Sequence, residues 1–142
     1  MRRFGVFCLL AIVIAGTYAN ALENDFVFDD FSLVVNNADL PRIAADPSLV
    51  LTPKALGYRP VRTLSYVVDY RLSGVQGGQL DAWFFHLNNI VYHWLTACVV
   101  FLIALRLTNI RTHVGGTQSE GEEGTRWQPA VFTALLWALH PV

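Results

Sequence analysis

Residues 83–105 read WFFHLNNIVYHWLTACVVFLIAL, and this run contains no charged side chain. It exceeds the roughly 20 apolar residues that a helix needs to cross the hydrocarbon core of a bilayer. The composition agrees, because 54% of the 142 residues are hydrophobic, only 15% are charged and the mean hydropathy is +0.39. Soluble domains carry about 25% charged residues. The sequence therefore predicts a membrane protein.

Two further apolar blocks flank this run. Residues 4–21 carry no charge and predict a first span, and a third begins at Pro129 and is incomplete at residue 142. The predicted fold is an all-α membrane protein with about three transmembrane helices, at 4–21, 83–105 and 129–142. The first span has a second interpretation, because Arg2 and Arg3, the apolar core and Ala19-Asn20-Ala21 also match a secretory signal peptide. Sequencing the mature N-terminus would decide between them.

The charges predict the orientation. Residues 1–3 and the predicted inner loop 106–128 hold five of the ten basic residues, whereas the long loop 22–82 holds eight acids against five bases. Short Arg-rich loops stay in the cytoplasm. We therefore expect a cytoplasmic N-terminus, with loop 22–82 on the periplasmic or lumenal side of a bacterial inner membrane or an endoplasmic reticulum membrane.

The outer loop is too long to be a simple connection and should carry structure of its own. Asp39 to Pro53 contains three prolines and predicts an irregular, turn-rich path. Residues 60–72 predict a short amphipathic helix at the membrane interface, with Pro60 in its first turn and glycines beyond it. Its apolar stripe comprises Val61, Leu64, Val68 and Leu72.

Residues 26–37, FVFDDFSLVVNN, place the adjacent acids Asp29 and Asp30 just beyond the first span. Acids near a bilayer are costly and usually functional. A carboxylate within hydrogen-bond reach of a hydroxyl can act as a general base. Two carboxylates are not a full ligand set for Mg²⁺ or Mn²⁺, so a divalent metal stays undecided and no cofactor is assigned. The alternative is a solvated Asx turn.

The second span has a polar entry. His86, Asn89 and His93 fall within roughly 60° of one another on a helix and should line a protein interior or a wet cavity. Their spacing is not that of the common helical zinc motifs. Hydrogen bonds between helices are the alternative role. Cys8 and Cys98 are expected to be small buried apolar side chains, with no disulfide or thiolate metal site.

Together these pieces resemble one family. The matching runs, in order, are FVFDD (26–30), NN (36–37), YRP (58–60), LSY (64–66), FHLNN (85–89), His93 and ALHPV (138–142). This order resembles the N-terminus of protein O-mannosyltransferase-like membrane enzymes, in the group whose membrane domain is followed by tetratricopeptide repeats. The resemblance implies a fragment of a larger bundle of the GT-C superfold, which uses polyprenyl- or dolichyl-phosphate sugars at the non-cytoplasmic face.

Residue by residue, the resemblance implies that Asp29 and Asp30 are the catalytic acids, serving the acceptor or the reacting centre. Arg59 and Arg62 are candidates for the phosphate of the lipid donor, since Arg pairs with phosphate oxygens; binding to generic headgroups or to nearby acids is the equal alternative. The pocket candidates are His86, Asn89 and His93. His140, before Pro141, begins a second active-site loop or simply ends a helix.

The sequence thus predicts part of a glycosyltransferase that moves a sugar, most simply mannose, from a polyprenyl or dolichyl phosphate to a hydroxyl acceptor. The expected partners are membrane lipid, that sugar donor and a protein or other hydroxyl acceptor, with no nucleic acid. The fragment alone is expected to be inactive. The alternative function is a non-enzymatic membrane anchor or scaffold for a downstream repeat domain; a secreted or channel-like protein with a cleaved signal is the third.

Overall fold

A computed structural model of the chain describes residues 2–52, 59–76, 79–114 and 123–140. Its longer elements are the helices α1 (Arg2–Tyr18), α2 (Asp39–Ala45), α3 (Pro60–Ser73), α4 (Ala82–Val114) and α5 (Glu123–Leu139). Shorter helical turns are the 3-10 segments Ala19–Glu23 and Pro47–Leu51 and the π-helical turn Phe31–Val35. Two-residue strands, β1 (Val75–Gln76) and β2 (Gln79–Leu80), pair antiparallel as a hairpin. The described part of the chain is therefore a helical protein, as the sequence predicts.

Two of the described helices are long and apolar enough to cross a membrane. They cover Arg3–Glu23, with 21 residues, and Ala82–Ile110, with 29 residues. A shorter apolar stretch, Trp127–Leu139, lies in α5. The all-α membrane fold expected from the sequence is confirmed, with two full-length apolar helices and a third, shorter one.

The chain divides into two compact units. The span unit comprises Met1–Ala19 and Ile90–Val142, and the loop unit comprises Asn20–Asn89. Helix α4 contributes its first turns to the loop unit and the rest of its length to the span unit.

The span unit is built on small residues. Ala130, Ala134 and Ala138 recur every four residues along α5 and are all fully buried. Such a face lets helix backbones approach closely, which is how helices associate in lipid. It packs in one core with two residues of α1 and four of α4, namely Leu10, Ile14, Ala97, Cys98, Phe101 and Leu105.

Aromatic contacts fix α4 in this unit. The Phe101 ring lies edge-on to Phe7, with centroids 6.1 Å apart, and 5.6 Å from the Trp127 centroid. The Trp94 indole N–H donates to the Phe7 carbonyl oxygen at 3.0 Å, so its polar atom is satisfied between helices. Cys98 is buried as the sequence predicts, whereas Cys8 is exposed, so the expectation of burial is wrong for that residue.

Helices extend into the predicted inner loop 106–128 from both sides, because α4 continues to Val114 and α5 already begins at Glu123. Arg106 marks where charge enters the sequence, but a charge need not end a helix, since Arg is a good helix former. Pro129 lies inside α5 instead of opening it. Between the two helices, residues 115–122 lie outside the described part of the chain.

The loop unit has its own core. Residues from the π-helical turn, α2, the second 3-10 segment, α3 and the start of α4 bury one another: Val34, Leu40, Ile43, Ala44, Val50, Val67 and Phe85. The expected irregular path over 39–53 is therefore wrong for residues 39–51, which are mostly helical. Leu40, Ile43 and Ala44 have the i, i+3, i+4 spacing of a buried helical face. Pro53 lies outside the described residues.

Caps explain why prolines do not prevent these short helices. Pro47 occupies the first turn of its 3-10 segment, where a missing N–H costs nothing. The Asp46 carboxylate accepts from the backbone N–H of Ser48 at 3.1 Å and from its hydroxyl at 2.6 Å. The Arg71 guanidinium donates through two nitrogens to the Ala44 carbonyl oxygen and so joins α3 to the end of α2.

Helix α3 matches the predicted helix 60–72 within one residue. The four members of its apolar stripe, Val61, Leu64, Val68 and Leu72, are all exposed, whereas Thr63, Val67 and Ser73 are buried. An exposed apolar stripe is what a helix at a membrane interface requires. The helix ends before Gly74, whose φ of 61° suits glycine.

Candidate functional site

The acidic pair lies in a tight turn at the start of the loop unit. The Asp30 backbone N–H donates to the Val27 carbonyl oxygen at 2.9 Å, and the Val27 N–H donates back to Asp30 Oδ2 at 3.1 Å. Phe28 between them takes a left-handed φ of 44°. The Asp30 carboxylate therefore stabilises the turn.

Asp29 differs from its neighbour. Its side chain is exposed, and its carbonyl oxygen accepts from the Ser32 hydroxyl at 3.0 Å. Within the described residues, its carboxylate has no hydrogen-bond partner. One acid of the pair thus holds the turn while the other is presented to the surroundings, where it could accept a proton from a bound hydroxyl.

Tyr66 of α3 lies where the charges of the candidate site meet. Burial raises the pKa of its phenol; the Arg62 guanidinium opposes the rise, and Asp30, Asp29 and Asp69 add to it. Both members of the acidic pair therefore act electrostatically on a side chain of α3. The sequence pairs Arg62 and Tyr66 at i and i+4, but it carries no signal that connects them with residues 29 and 30.

The two candidate arginines differ in setting. The Arg62 guanidinium carbon lies 5.9 Å from the centroid of the Tyr66 ring, a cation–π contact, and its side chain is half-buried. Arg59 is exposed at the N-cap of α3, and its carbonyl oxygen accepts from the Thr63 N–H at 2.9 Å. Tyr58, the first residue of the YRP run, lies outside the described residues.

Asp69 is a buried acid of α3 that the sequence alone does not connect with the site. It is 4% exposed, and burial raises the pKa of its carboxyl to about 6, against the opposing hydrogen bond from the Asn88 side chain. Its Oδ1 has no hydrogen-bond partner within the described residues. Asp69 follows Tyr66 by three positions, so helical spacing is the only sequence signal that could have indicated it.

His86 and Asn89 belong to the first turns of α4. The His86 ring donates from Nε2 to the Asn24 carbonyl oxygen at 3.0 Å, which ties the start of α4 to the end of the first span. Asn89 is exposed. Phe85 beside them packs between two aromatic rings, with centroids 5.3 Å from Phe26 and 6.4 Å from Tyr66.

His93 and His140 belong to the span unit. The His93 Nε2–H donates to the Ala138 carbonyl oxygen at 3.2 Å, and its ring lies edge-on to Tyr18 at 5.3 Å. The Tyr18 hydroxyl donates to the His140 carbonyl oxygen at 2.7 Å. His93 thus makes the interhelical hydrogen bond that was the alternative to a pocket role. The exposed His140 lies just beyond the end of α5, and Pro141 is outside the described residues.

In the loop unit, Arg62 contacts the Tyr66 ring, and Asp29 and Asp30 act electrostatically on the Tyr66 phenol. Arg59, His86 and Asn89 lie in the same unit, and His93 and His140 in the span unit. Within the described ranges, no three His, Cys, Asp or Glu side chains form a group that could hold a metal ion. The catalytic and binding roles of all eight candidates remain predictions.

Comparison with known proteins finds relatives along most of the chain. It is 29% identical over 144 residues to "Protein O-mannosyl-transferase TMTC3" of Mus musculus, which covers 94% of this chain and 13% of that protein. It is 30% identical over 139 residues to "Protein O-mannosyl-transferase TMTC4" of Mus musculus, covering 88% of this chain and 17% of the relative.

A third relative is "Protein O-mannosyl-transferase TMTC1" of Homo sapiens, 29% identical over 149 residues, with 97% of this chain and 15% of that protein covered. The chain thus spans less than a fifth of the length of these relatives. No family model and no solved structure matches it. The resemblance seen in the sequence is confirmed at this level: the chain is homologous, over most of its length, to proteins named protein O-mannosyl-transferases.

Proposed function

We propose that this chain is part of a membrane glycosyltransferase that transfers mannose from a polyprenyl or dolichyl phosphate to a hydroxyl group of a protein. The relatives' names support transfer of mannose to protein oxygen. The two long apolar helices support a lipid-linked donor, because such a carrier is confined to the bilayer. The observation that most directly supports the proposal is the difference between the two acids. Asp30 accepts a hydrogen bond that stabilises the turn, whereas Asp29 beside it is exposed.

In the proposed reaction Asp29 accepts the proton of the acceptor hydroxyl. The freed oxygen forms a bond to the anomeric carbon of the sugar as the bond from that carbon to the phosphate oxygen breaks, and the lipid phosphate leaves with the electron pair. A base in hydrogen-bond reach contributes typically 10²–10⁴-fold to such a step. Asp30 acts as a positioning residue through its bond to the Val27 N–H.

The proposed donor contacts come from α3. Arg62 and Arg59 supply positive charge for the departing phosphate, which charge-assisted hydrogen bonds stabilise. The cation–π contact with Tyr66 holds the Arg62 guanidinium in the neighbourhood of the acidic pair. His86 and Asn89, in the same unit, are proposed to contact the sugar or the acceptor. His93 and His140 are proposed as further substrate-binding residues. The active site is proposed to face the lumen or periplasm.

The test is a transfer assay on membranes that contain the protein expressed from its full reading frame, with dolichyl-phosphate mannose and a hydroxyl-bearing acceptor peptide. Asp29→Asn keeps the shape of the side chain and removes the base, so we expect transfer to fall by about 10²-fold or more. Asp25→Asn, at an exposed acid four positions earlier, is the matched control and should retain wild-type transfer.

The Asp30→Asn variant tests the positioning role of Asp30 separately from the role of Asp29 as the base. The amide oxygen can still accept from the Val27 N–H, so we expect a smaller loss than for Asp29→Asn. Equal activity of Asp29→Asn, Asp25→Asn and the wild type would contradict the proposed base. It would favour the alternative of a non-enzymatic anchor or scaffold, which needs no carboxylate at position 29.

A further inference from the structure

The acidic turn carries an apolar surface that the proposed reaction does not require. Phe28 is 93% exposed, and Val27, Phe31 and Val35 beside it are also exposed. Single exposed apolar side chains are ordinary, but a cluster indicates a contact surface. We refer to these four residues as the turn patch. Phe26 and Val34 in the same segment point the other way, into the core of the loop unit.

The backbone conformation that exposes the Phe28 side chain is energetically unfavourable. A φ of 44° is unusual for a bulky residue and is normally taken by Gly or Asn. The hydrogen bonds between Val27 and Asp30 enforce it. Strained residues of this kind persist where the surroundings over-determine them, and they cluster at functional sites. A strained turn that exposes a phenyl ring to water would gain nothing, so the ring should have an apolar partner.

Chain connectivity identifies that partner as lipid. The first apolar helix ends at Glu23, and the loop unit returns to a second such helix at Ala82. Both ends of the loop unit are therefore attached to the bilayer surface. Phe28 follows Glu23 by five positions, which is at most about 17–18 Å of extended chain. The headgroup layer is itself about 5–8 Å thick, so the ring is within reach of the acyl chains.

We propose that the turn patch is a membrane contact, in which the Phe28 ring inserts at the boundary between headgroups and acyl chains, with Phe31 beside it. Phe is one of the residues that interfacial segments bury at this depth. The nearby exposed acids Glu23, Asp25 and Asp29 would be repelled by anionic lipid, so the matching surface is zwitterionic. This contact requires only that the two long helices span the bilayer, and it is independent of the reaction proposed above.

The consequence is a fixed depth for Asp29. With its neighbour Phe28 in the lipid boundary, the Asp29 carboxylate is held at the headgroup level. Helix α3 presents a second exposed apolar stripe on the same unit. The turn patch is thus an anchor next to the acidic pair, separate from that helix.

The test measures the depth of a nitroxide label in the full chain, reconstituted into phosphatidylcholine vesicles after Cys8→Ala and Cys98→Ala remove both native thiols. Labels are attached in separate variants at Phe28→Cys, Phe31→Cys and Leu51→Cys. Leu51 is the matched control, because it is an apolar residue of the same unit, 72% exposed, outside the turn patch. Frequent collisions of the label with oxygen indicate a lipid environment, whereas frequent collisions with a nickel chelate indicate exposure to water.

We expect the label at position 28 to show several-fold lower nickel and higher oxygen accessibility than the label at 51, with position 31 between them. Equal nickel accessibility at 28 and 51 would overturn the proposal. So would low accessibility to both reagents at 28, which indicates a protein partner, or spin–spin broadening, which indicates a second copy. Phe31→Cys leaves the strained residue Phe28 in place, so this variant still tests the proposal if Phe28→Cys misfolds.

Discussion

Asp69 shows how one buried side chain can cost stability at neutral pH. Its folded-state pKa of about 6 lies above its ordinary value of 3.8, so the folded protein holds this proton more tightly than the unfolded chain. The stabilisation from the protonated form is complete below about pH 3.8 and is lost as the pH rises through about 6. The cause is burial, which disfavours the charged form.

We predict that Asp69→Asn stabilises the protein above about pH 7 by about 1–3 kcal/mol, because the amide carries no charge and can still accept from Asn88. The advantage should shrink as the pH falls through about 6 and disappear near pH 4. Thermal unfolding in detergent across this range measures it. Asp25→Asn, at an exposed acid, is the control and should show no such pH-dependent gain. A constant difference between Asp69→Asn and the wild type at every pH would contradict the assignment.

Among single residues, those placed on helical periodicity were the easiest to predict. The stripe Val61, Leu64, Val68 and Leu72 lies on one exposed face of α3, as the sequence indicates. The sequence gives Asp69 and Tyr66 no such signal, because the groups outside α3 that act on them lie at residues 29, 30 and 88. A contact between distant segments has no local pattern, so sequence periodicity cannot reveal it.

At the scale of elements, the alanine face of α5 is the feature that packs the span unit. We predict that Ala134→Phe destabilises the protein by about 1–3 kcal/mol, since a ring at a fully buried position forces α5 away from its neighbours. The matched control is Leu136→Phe, which introduces the same ring on the exposed side of the helix. Thermal unfolding in detergent measures both, and equal stability of the two variants would contradict this packing.

The ends of some helices were predicted accurately and those of others were not, for a physical reason. Helix α3 has a proline at its start and a glycine after its end, and its bounds agree with the sequence to within one residue. Helix α4 has no such signal at Leu105, where apolar sequence changes to mixed sequence while the helix continues. The hydropathy of the sequence indicates where the membrane-spanning part ends, whereas only capping residues indicate where the helix itself ends. Helix α2 was missed because Pro41 within it and Pro47 after it obscured a short buried face at Leu40 and Ile43.

At the scale of the whole molecule, the orientation is the prediction on which the proposed site depends. We expect residue 25 to face outward and residue 106 to face the cytoplasm, because short Arg-rich segments stay inside. In the thiol-free background, a membrane-impermeant maleimide should label Asp25→Cys in intact cells, whereas Arg106→Cys should react only after permeabilisation. The reverse pattern would place Asp29 and Asp30 in the cytosol and contradict the proposed reaction.

The position of Phe85 has a consequence for biosynthesis. This ring closes the core of the loop unit against Phe26 and Tyr66, yet it belongs to α4, at the far end of the segment. A ribosome makes Phe26 long before Phe85, and contacts between such distant residues form only once both exist. The contacts of Phe26 and Tyr66 with Phe85 can therefore form only when the start of the second apolar helix has been made. Maturation of the acidic turn is coupled in time to insertion of that helix.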